Sequence, residues 1–282
     1  MSLALPRGRA LPLGDEALVM GVVNLTPDSF FAPSRRRSAR EARDAALAMA
    51  AAGAAIVDLG GESTRPGSEP VGEEEELERV IPAIQAIRRD SDIPLSVDTR
   101  KLAVARAALD AGADILNDVA ALAAPGMAEL AAERGAAAVL MHMKGEPKTM
   151  QEAPSYEDCP AEVFAFLLGA ARRAEAAGIG RDRIVLDPGI GFGKRLGDNL
   201  ELLARLGELA AAGYPVLVGL SRKAFVGAIT GRPAEGRLPG SLGAACAAYS
   251  GGARIFRAHD VPETVDALAL FAAVRAAGRR RG

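Results

Sequence analysis

Short apolar runs recur along the chain, separated by longer Ala-, Leu- and Arg-rich stretches whose apolar positions return with helical periodicity. The runs fall at Val19–Asn24, Ala55–Gly60, Pro94–Thr99, Asp114–Val119, Ala137–Met143, Arg183–Pro188, Pro215–Ser221 and Arg254–His259. Several, such as Ile56-Val57-Asp58-Leu59 and Val216-Leu217-Val218-Gly219, are continuously apolar or nearly so, rather than alternating. That is the pattern of parallel strands covered on both faces. The intervals are long enough for the crossover helices that parallel pairing requires. Eight strands with interleaved helices predict an α/β fold, a (β/α)₈ barrel of the TIM type. An open doubly wound sheet is the alternative.

Helix boundaries carry their own signals. Ser38-Ala39-Arg40-Glu41 reads as a capping box opening the first helix, which Gly53 stops after about Ala52. A second helix starts on the acidic run Glu73–Glu76, read as a solvated first turn, and ends near Arg88 and Arg89, charges that complement the helix dipole. Gly112, Gly135, Gly178 and Gly213 each stand between a helix and the next strand, where a left-handed terminating glycine is expected. No linker rich in Pro, Gly or Ser divides the chain. Residues 1–282 are therefore expected to form one barrel domain with a short N-terminal extension at 1–17.

Composition narrows the function classes. A net charge of −2 gives no electrostatic handle for nucleic acid. No apolar run reaches the roughly 18 residues a membrane span needs. Pro6, Pro12 and Gly14 break the start of the chain, so no signal peptide is expected. Cys159 and Cys246 match no metal-ligand spacing and read as free thiols, which suits a cytoplasmic protein. Arginine is abundant (29), whereas the chain has only 5 lysines, 3 asparagines, 2 glutamines and 2 histidines.

In a barrel the carboxyl ends of the strands build the active site. Those ends carry Asn24, Asp58 with Glu62, Asp98, Asn117, His142, Asp187, Lys223, and Arg257 with His259. Singly, each is as readily a helix cap or a turn residue. Two of the three asparagines and both histidines at one rim, however, form a pattern that packing alone would not produce. Asp98, Asn117 and Asp187 supply acceptors for a flat ring bearing N–H groups. Lys223, Arg257 and His259 supply donors and positive charge for a phosphate or pyrophosphate. No chain order of a Ser-His-Asp triad is present, and His142 and His259 lack the spacing of a zinc pair. The run Gly189-Ile190-Gly191-Phe192-Gly193-Lys194 fails as a phosphate-binding P-loop, because Pro188 and Arg195 stand where Gly and Ser or Thr are needed. It reads instead as a flexible loop with Phe192 as an apolar wall. The loop Gly60–Gly67 exposes Ser63, Thr64 and Arg65 at the same rim.

Eight motifs in order resemble one family over residues 19–261. They are Met20-Gly-Val-Val-Asn-Leu-Thr-Pro-Asp-Ser-Phe30, Asp58-Leu-Gly-Gly-Glu-Ser-Thr-Arg-Pro-Gly67, Ser96-Val-Asp-Thr99 and Ile115-Leu-Asn-Asp-Val119. Leu140-Met-His-Met143, Leu186-Asp-Pro-Gly-Ile-Gly-Phe-Gly-Lys194, Gly219-Leu-Ser-Arg-Lys223 and Arg257-Ala-His-Asp-Val261 complete the set. Any one is weak; together they are similar to the dihydropteroate synthase family. The resemblance implies a transferase that joins (7,8-dihydropterin-6-yl)methyl diphosphate to p-aminobenzoate. It implies that Asp98, Asn117, Asp187 and Lys223 hold the pterin, that Met141, Phe192 and Gly219 line its pocket, and that Arg257 packs over the ring. Asn24, Arg257 and His259 would hold pyrophosphate, with Mg²⁺ near Asn24. The loops carrying Thr26–Phe30 and Ser63–Pro66, with Thr64 and Arg65, would close over p-aminobenzoate, whose pocket also takes in Ser221 and the Lys223 stem.

Catalysis is expected to rest on Asp98, Asp187, Lys223 and Arg257. Sulfonamides would occupy the p-aminobenzoate position, and the family is commonly dimeric, which implies a homodimer. In one place the chain departs from the pattern. The family's first loop continues with an Asp that assists catalysis, and here Ala32 stands in its place. That leaves two alternatives, a pterin-binding paralogue without catalysis and a pterin-dependent methyltransferase. The latter should lack both Ser-Thr-Arg-Pro-Gly and Ser-Arg-Lys, which this chain has.

Overall fold

The structure, a computed structural model, describes residues 1–25, 35–63 and 67–279. The chain opens with two short antiparallel strands, β1 (Ser2–Ala4) and β2 (Ala10–Pro12), in the register Ser2↔Pro12. Eight parallel strands follow: β3 (Leu18–Asn24), β4 (Ile56–Gly60), β5 (Leu95–Asp98), β6 (Ile115–Asp118), β7 (Ala137–Met141), β8 (Ile184–Asp187), β9 (Leu217–Gly219) and β10 (Ile255–Ala258). Helices α1 (Arg35–Ala51), α2 (Glu73–Arg88), α3 (Leu102–Ala111), α4 (Met127–Arg134) and α5 (Cys159–Ala176) alternate with the first six of these strands. Then come α6 (Leu196–Ala204) and α7 (Leu206–Ala210) before β9, α8 (Ala224–Thr230) and α9 (Leu238–Ser250) before β10, and the terminal α10 (Val261–Arg279).

The strand order is β8-β7-β6-β5-β4-β3-β10-β9. A parallel bridge between Leu186 and Val216, with the Leu186 amide donating to the Pro215 carbonyl at 2.9 Å, joins the two ends. The sheet therefore closes into a barrel, and the open-sheet alternative falls. All eight expected strands are present; β3 gains Leu18, β9 keeps only three of its seven expected residues, and the others lose one or two.

Two apolar layers explain why the chain folds this way. The outward positions of the strands pack against helix faces, as with Val57, Leu59, Val80, Ile84 and Ile87. The inward positions near the strand starts (Met20, Ile56, Ile115, Val139, Val185, Leu217 and Ile255) form a separate cluster with Leu3, Leu5 and Leu13. The segment read as an extension is thus a hairpin whose leucines seal the amino end of the barrel. Its strands of three residues are too short to show a pattern in the sequence.

Two helix readings need correction. Helix α1 begins at Arg35, so Ser38 lies inside it and does not cap it. Arginine is a good helix former, and the run Arg35–Arg37 carries the helix one turn upstream. Glu73–Glu75 are exposed as expected, but Glu76 is fully buried and pairs with Lys101, which also pairs with Glu62. The four inter-element glycines all have positive φ, from 59° to 114°. Cys159 and Cys246 are free, and burial raises the Cys159 thiol pKa to about 11, leaving it unreactive. No described helix is long and apolar enough to cross a membrane.

Candidate active site

Parallel register brings the rim residues into line. Asn24 pairs with Gly60, Gly60 with Asp98, and Asp98 with Asn117, running from β3 to β6. Met141 on β7 pairs with Asp187 on β8, and Gly219 on β9 with Arg257 on β10. Asn24, Asp98, Asn117, Met141, Asp187, Gly219 and Arg257 therefore all sit in the ring of carboxyl ends. Asp98, Asn117 and Asp187 are 5–7% exposed, buried but reachable from the barrel mouth.

Arg257 organises one side of the pocket. Its Nε donates to Asp58 Oδ2 at 2.6 Å and its Nη2 to Asp98 Oδ2 at 2.9 Å. Asn117 Nδ2 donates to the same Asp58 oxygen at 3.1 Å, while Asp58 Oδ1 is buried without a partner. Burial pushes the Asp98 carboxyl up to about 7 against the pull of Arg257, and the nearby Asp58 charge adds to the rise. Burial disfavours the Arg257 charge, but Asp58 and Asp98 outweigh it, so its pKa is raised. Asp58 was visible at the rim but had no assigned role. The signal was there: a carboxylate inside the apolar strand Ile56–Gly60 must find a cation.

Lys223 organises the side formed by β8 and β9. Its ammonium donates to the Ile190 carbonyl and lies 4.6 Å from the centre of the Phe192 ring. Burial lowers its pKa to about 8, opposed by the charge of Asp187. Burial raises the Asp187 pKa; Lys223 and the Gly189 amide, which donates to Asp187 Oδ1 at 2.7 Å, pull it back. Phe192, expected as an apolar wall, thus lies beside Lys223. At the outer edge His259 Nδ1 lies 3.1 Å from Ser221 Oγ, joining the turns after β10 and β9.

The loop after β8 is braced from within, contrary to its reading as flexible. Lys194, 3% exposed, donates to the carbonyls of His142 (3.2 Å), Gly189 (3.0 Å) and Phe192 (3.0 Å), and sits 3.0 Å from His142 Nδ1. Burial, then Lys194, lowers the His142 pKa to about 3, so the imidazole is neutral beside the Lys194 amine. A Cβ on Gly189, at φ 66°, would come within 1.9 Å of the His142 carbonyl oxygen. His142 therefore serves the brace, away from the rim role its position suggested. Glu62 likewise turns to Lys101. Thr64, Arg65, the first-loop residues Thr26–Phe30 and Ala32 lie outside the described residues.

A closed (β/α)₈ barrel whose mouth sets carboxylate acceptors beside fixed cations defines a class: a barrel enzyme for a polar, flat ring carrying an anionic group. The family model described as pterin binding enzyme matches residues 20–259. The dihydropteroate synthase of Escherichia coli (strain K12) is 48% identical over 259 residues, covering 92% of each chain. Among solved structures, Yersinia pestis dihydropteroate synthase in complex with a sulfonamide drug superposes with a TM-score of 0.90 at 44% identity, covering 98% of this chain and 100% of that one. The Xanthomonas albilineans synthase in complex with 7,8-dihydropteroate gives 0.86 at 44% identity, covering 97% and 99%. The chain belongs to the pterin-binding enzyme family and, within it, to the dihydropteroate synthases.

Proposed function

We propose that this chain joins (7,8-dihydropterin-6-yl)methyl diphosphate to p-aminobenzoate, releasing pyrophosphate and 7,8-dihydropteroate, by dissociative displacement. The observation that carries the reading is the pair of charged groupings at the barrel mouth, Arg257 with Asp58 and Asp98, and Lys223 with Asp187. Asp98, Asn117 and Asp187 accept from the ring N–H groups, and Lys223 donates to a ring acceptor. Met141, Phe192 and Gly219 form the walls, Gly219 leaving the ring side of Lys223 clear. As the C–O bond to pyrophosphate lengthens, positive charge develops on the dihydropterin, and buried carboxylates at Asp98 and Asp187 stabilise it. Arg257 and His259 hold the departing pyrophosphate. Ser221 and the Lys223 stem, with Thr64 and Arg65, receive p-aminobenzoate, and exclusion of water there protects the cation for the amine.

Mg²⁺ fits this arrangement. Asn24 ends β3 at the rim, and its side chain offers an amide oxygen as a ligand. Mg²⁺ takes few protein oxygens and completes its shell with substrate phosphate oxygens and water, so Asn24 would hold it mainly together with the pyrophosphate. When bound, it supplies charge neutralisation to the leaving group.

The test is turnover. Incubation with dihydropterin pyrophosphate, p-aminobenzoate and Mg²⁺ is expected to give 7,8-dihydropteroate, with a sulfonamide competing against p-aminobenzoate. Tight pterin binding without product would establish the non-catalytic alternative and direct attention to Ala32. A strict dependence of pyrophosphate release on amine nucleophilicity would count against the dissociative course.

The cytoplasmic setting suits two free thiols. The homodimer draws support from exposed apolar side chains on neighbouring helices: Phe166 on α5, Leu196 and Leu200 on α6, and Ile229 on α8. Light scattering is expected to return twice the mass of one chain, and Leu200→Glu to return a single chain. A monomeric wild type would end the dimer proposal.

A further inference from the structure

Arg222 stands between two residues of the proposed site, Ser221 and Lys223, and its backbone is left-handed at φ 56°. A non-glycine residue holds that conformation only where its surroundings impose it. Four contacts do so. The Arg222 amide donates to Ser241 Oγ at 2.9 Å, and Arg237 Nη1 donates to the Arg222 carbonyl at 3.1 Å. The guanidinium forms a two-point pair with Asp260, Nε donating to Oδ2 at 2.9 Å and Nη2 to Oδ1. Asp260 is the residue before α10, where an Asp ordinarily caps the helix with its carboxylate. Here both carboxylate oxygens accept from Arg222 instead, and the Asp260 backbone carbonyl receives the Thr264 amide and hydroxyl.

The pairing is doubled. Ser221 and Arg222 on the turn after β9 face His259 and Asp260 on the turn after β10, residue for residue. Reversal of the chain at Arg222 sends the Lys223 side chain inward to the Ile190 carbonyl while Ser221 Oγ meets His259. Lys223 has anchors of its own in Ile190 and Phe192. Among the described residues Ser221 Oγ meets the amide and the ring nitrogen of His259, both on the neighbouring turn, so a relaxed Arg222 backbone would displace Ser221 more than Lys223.

We infer that Asp260 is a positioning residue: through Arg222 it holds the left-handed turn that presents Ser221 to p-aminobenzoate. The inference rests on the proposed function, because it takes Ser221 to be in the p-aminobenzoate pocket. It adds a residue that touches neither substrate. Loss of Asp260 should weaken p-aminobenzoate binding while leaving the pterin half of the site in place. Glycine adopts positive φ without strain, so glycine at position 222 should make Asp260 dispensable.

The experiment compares wild type with Asp260→Ala, Asp260→Ala/Arg222→Ala and Asp260→Ala/Arg222→Gly, measuring kcat, KM for p-aminobenzoate and Kd for dihydropterin pyrophosphate. Asp260→Ala is expected to raise KM for p-aminobenzoate by about tenfold, the scale of one lost charged hydrogen bond, with kcat and pterin Kd changed by less than about threefold. Glycine at 222 should restore most of the KM and alanine at 222 none of it. Equal KM values in the two double variants, or an unchanged KM in Asp260→Ala, would overturn the inference. If Asp260→Ala does not fold, the same comparison is made with Asp260→Asn, which keeps the volume and loses the charge. Absence of wild-type turnover would instead bring down the proposed function, and this inference with it.

Discussion

Lys223→Ala is expected to lower kcat/KM for dihydropterin pyrophosphate by roughly two to three orders of magnitude, the usual cost of removing one member of a buried, hydrogen-bonded charge pair. The ammonium does three things at once. It donates to the Ile190 carbonyl, it lies on the Phe192 ring, and it is the foremost charge opposing the rise in the Asp187 pKa. Without it Asp187 is buried with less compensation, its pKa climbs further, and more of it is protonated at neutral pH. A protonated Asp187 is a poorer acceptor for a ring N–H and offers no charge to a developing cation. Both pterin affinity and kcat should therefore fall, which separates this variant from one that loses binding alone. Lys223→Arg should not restore activity, because the planar guanidinium cannot occupy the space of a compact ammonium beside Gly191, where a Cβ would already lie 3.3 Å from Lys223 Cδ. Initial rates at saturating p-aminobenzoate, with pterin Kd by calorimetry, measure both effects. A loss below about fivefold would remove Lys223 from the site.

The fold was legible because its main signals are local. Continuous apolar strands, crossover helices between them and a glycine after several of the helices are all local features of the sequence. The rim was legible for a related reason: in a parallel barrel every strand points the same way, so the last polar residue of each strand arrives at the same mouth. Asp98, Asn117, Asp187 and Arg257 reach it by register alone. What stayed hidden depends on partners distant in sequence. That Arg257 would choose Asp58, 199 residues away, cannot be read from either neighbourhood. Lys194 looked like part of a failed phosphate loop until its ammonium was seen among three carbonyls and a histidine. His142 and Glu62 share the rim positions of the candidate site residues, yet a nearby lysine claims each of them. Position along a strand tells where a side chain starts; only the neighbours decide where it points.

The Arg257 grouping makes the second prediction. Arg257→Met keeps much of the packing volume but strips the cation from two carboxylates, one fully buried and the other nearly so. Leaving buried charge uncompensated costs about 3–5 kcal/mol. With 23% of the Arg257 side chain exposed, water offsets part of this, so about 3 kcal/mol is expected near neutral pH, a fall in Tm on the order of 10 °C. The pH dependence gives the cause. Asp98 already has a folded-state pKa raised from 3.8 to about 7, so its contribution favours the folded state at low pH and is lost as pH rises through the folded value. Removing Arg257 takes away the largest influence holding that value down, so the folded pKa rises further and the loss deepens on the alkaline side. The Tm gap between wild type and Arg257→Met should be smallest at pH values near 4, where the Asp98 carboxyl is protonated in both proteins and only the lost packing and Asp58 bond separate them, and should widen steadily to pH values above about 7. Adding Asp98→Asn to Arg257→Met should recover part of the Tm by removing one uncompensated charge, although neither variant should turn over. A gap that stays constant with pH would mean that the bond from Arg257 to Asp98 contributes little.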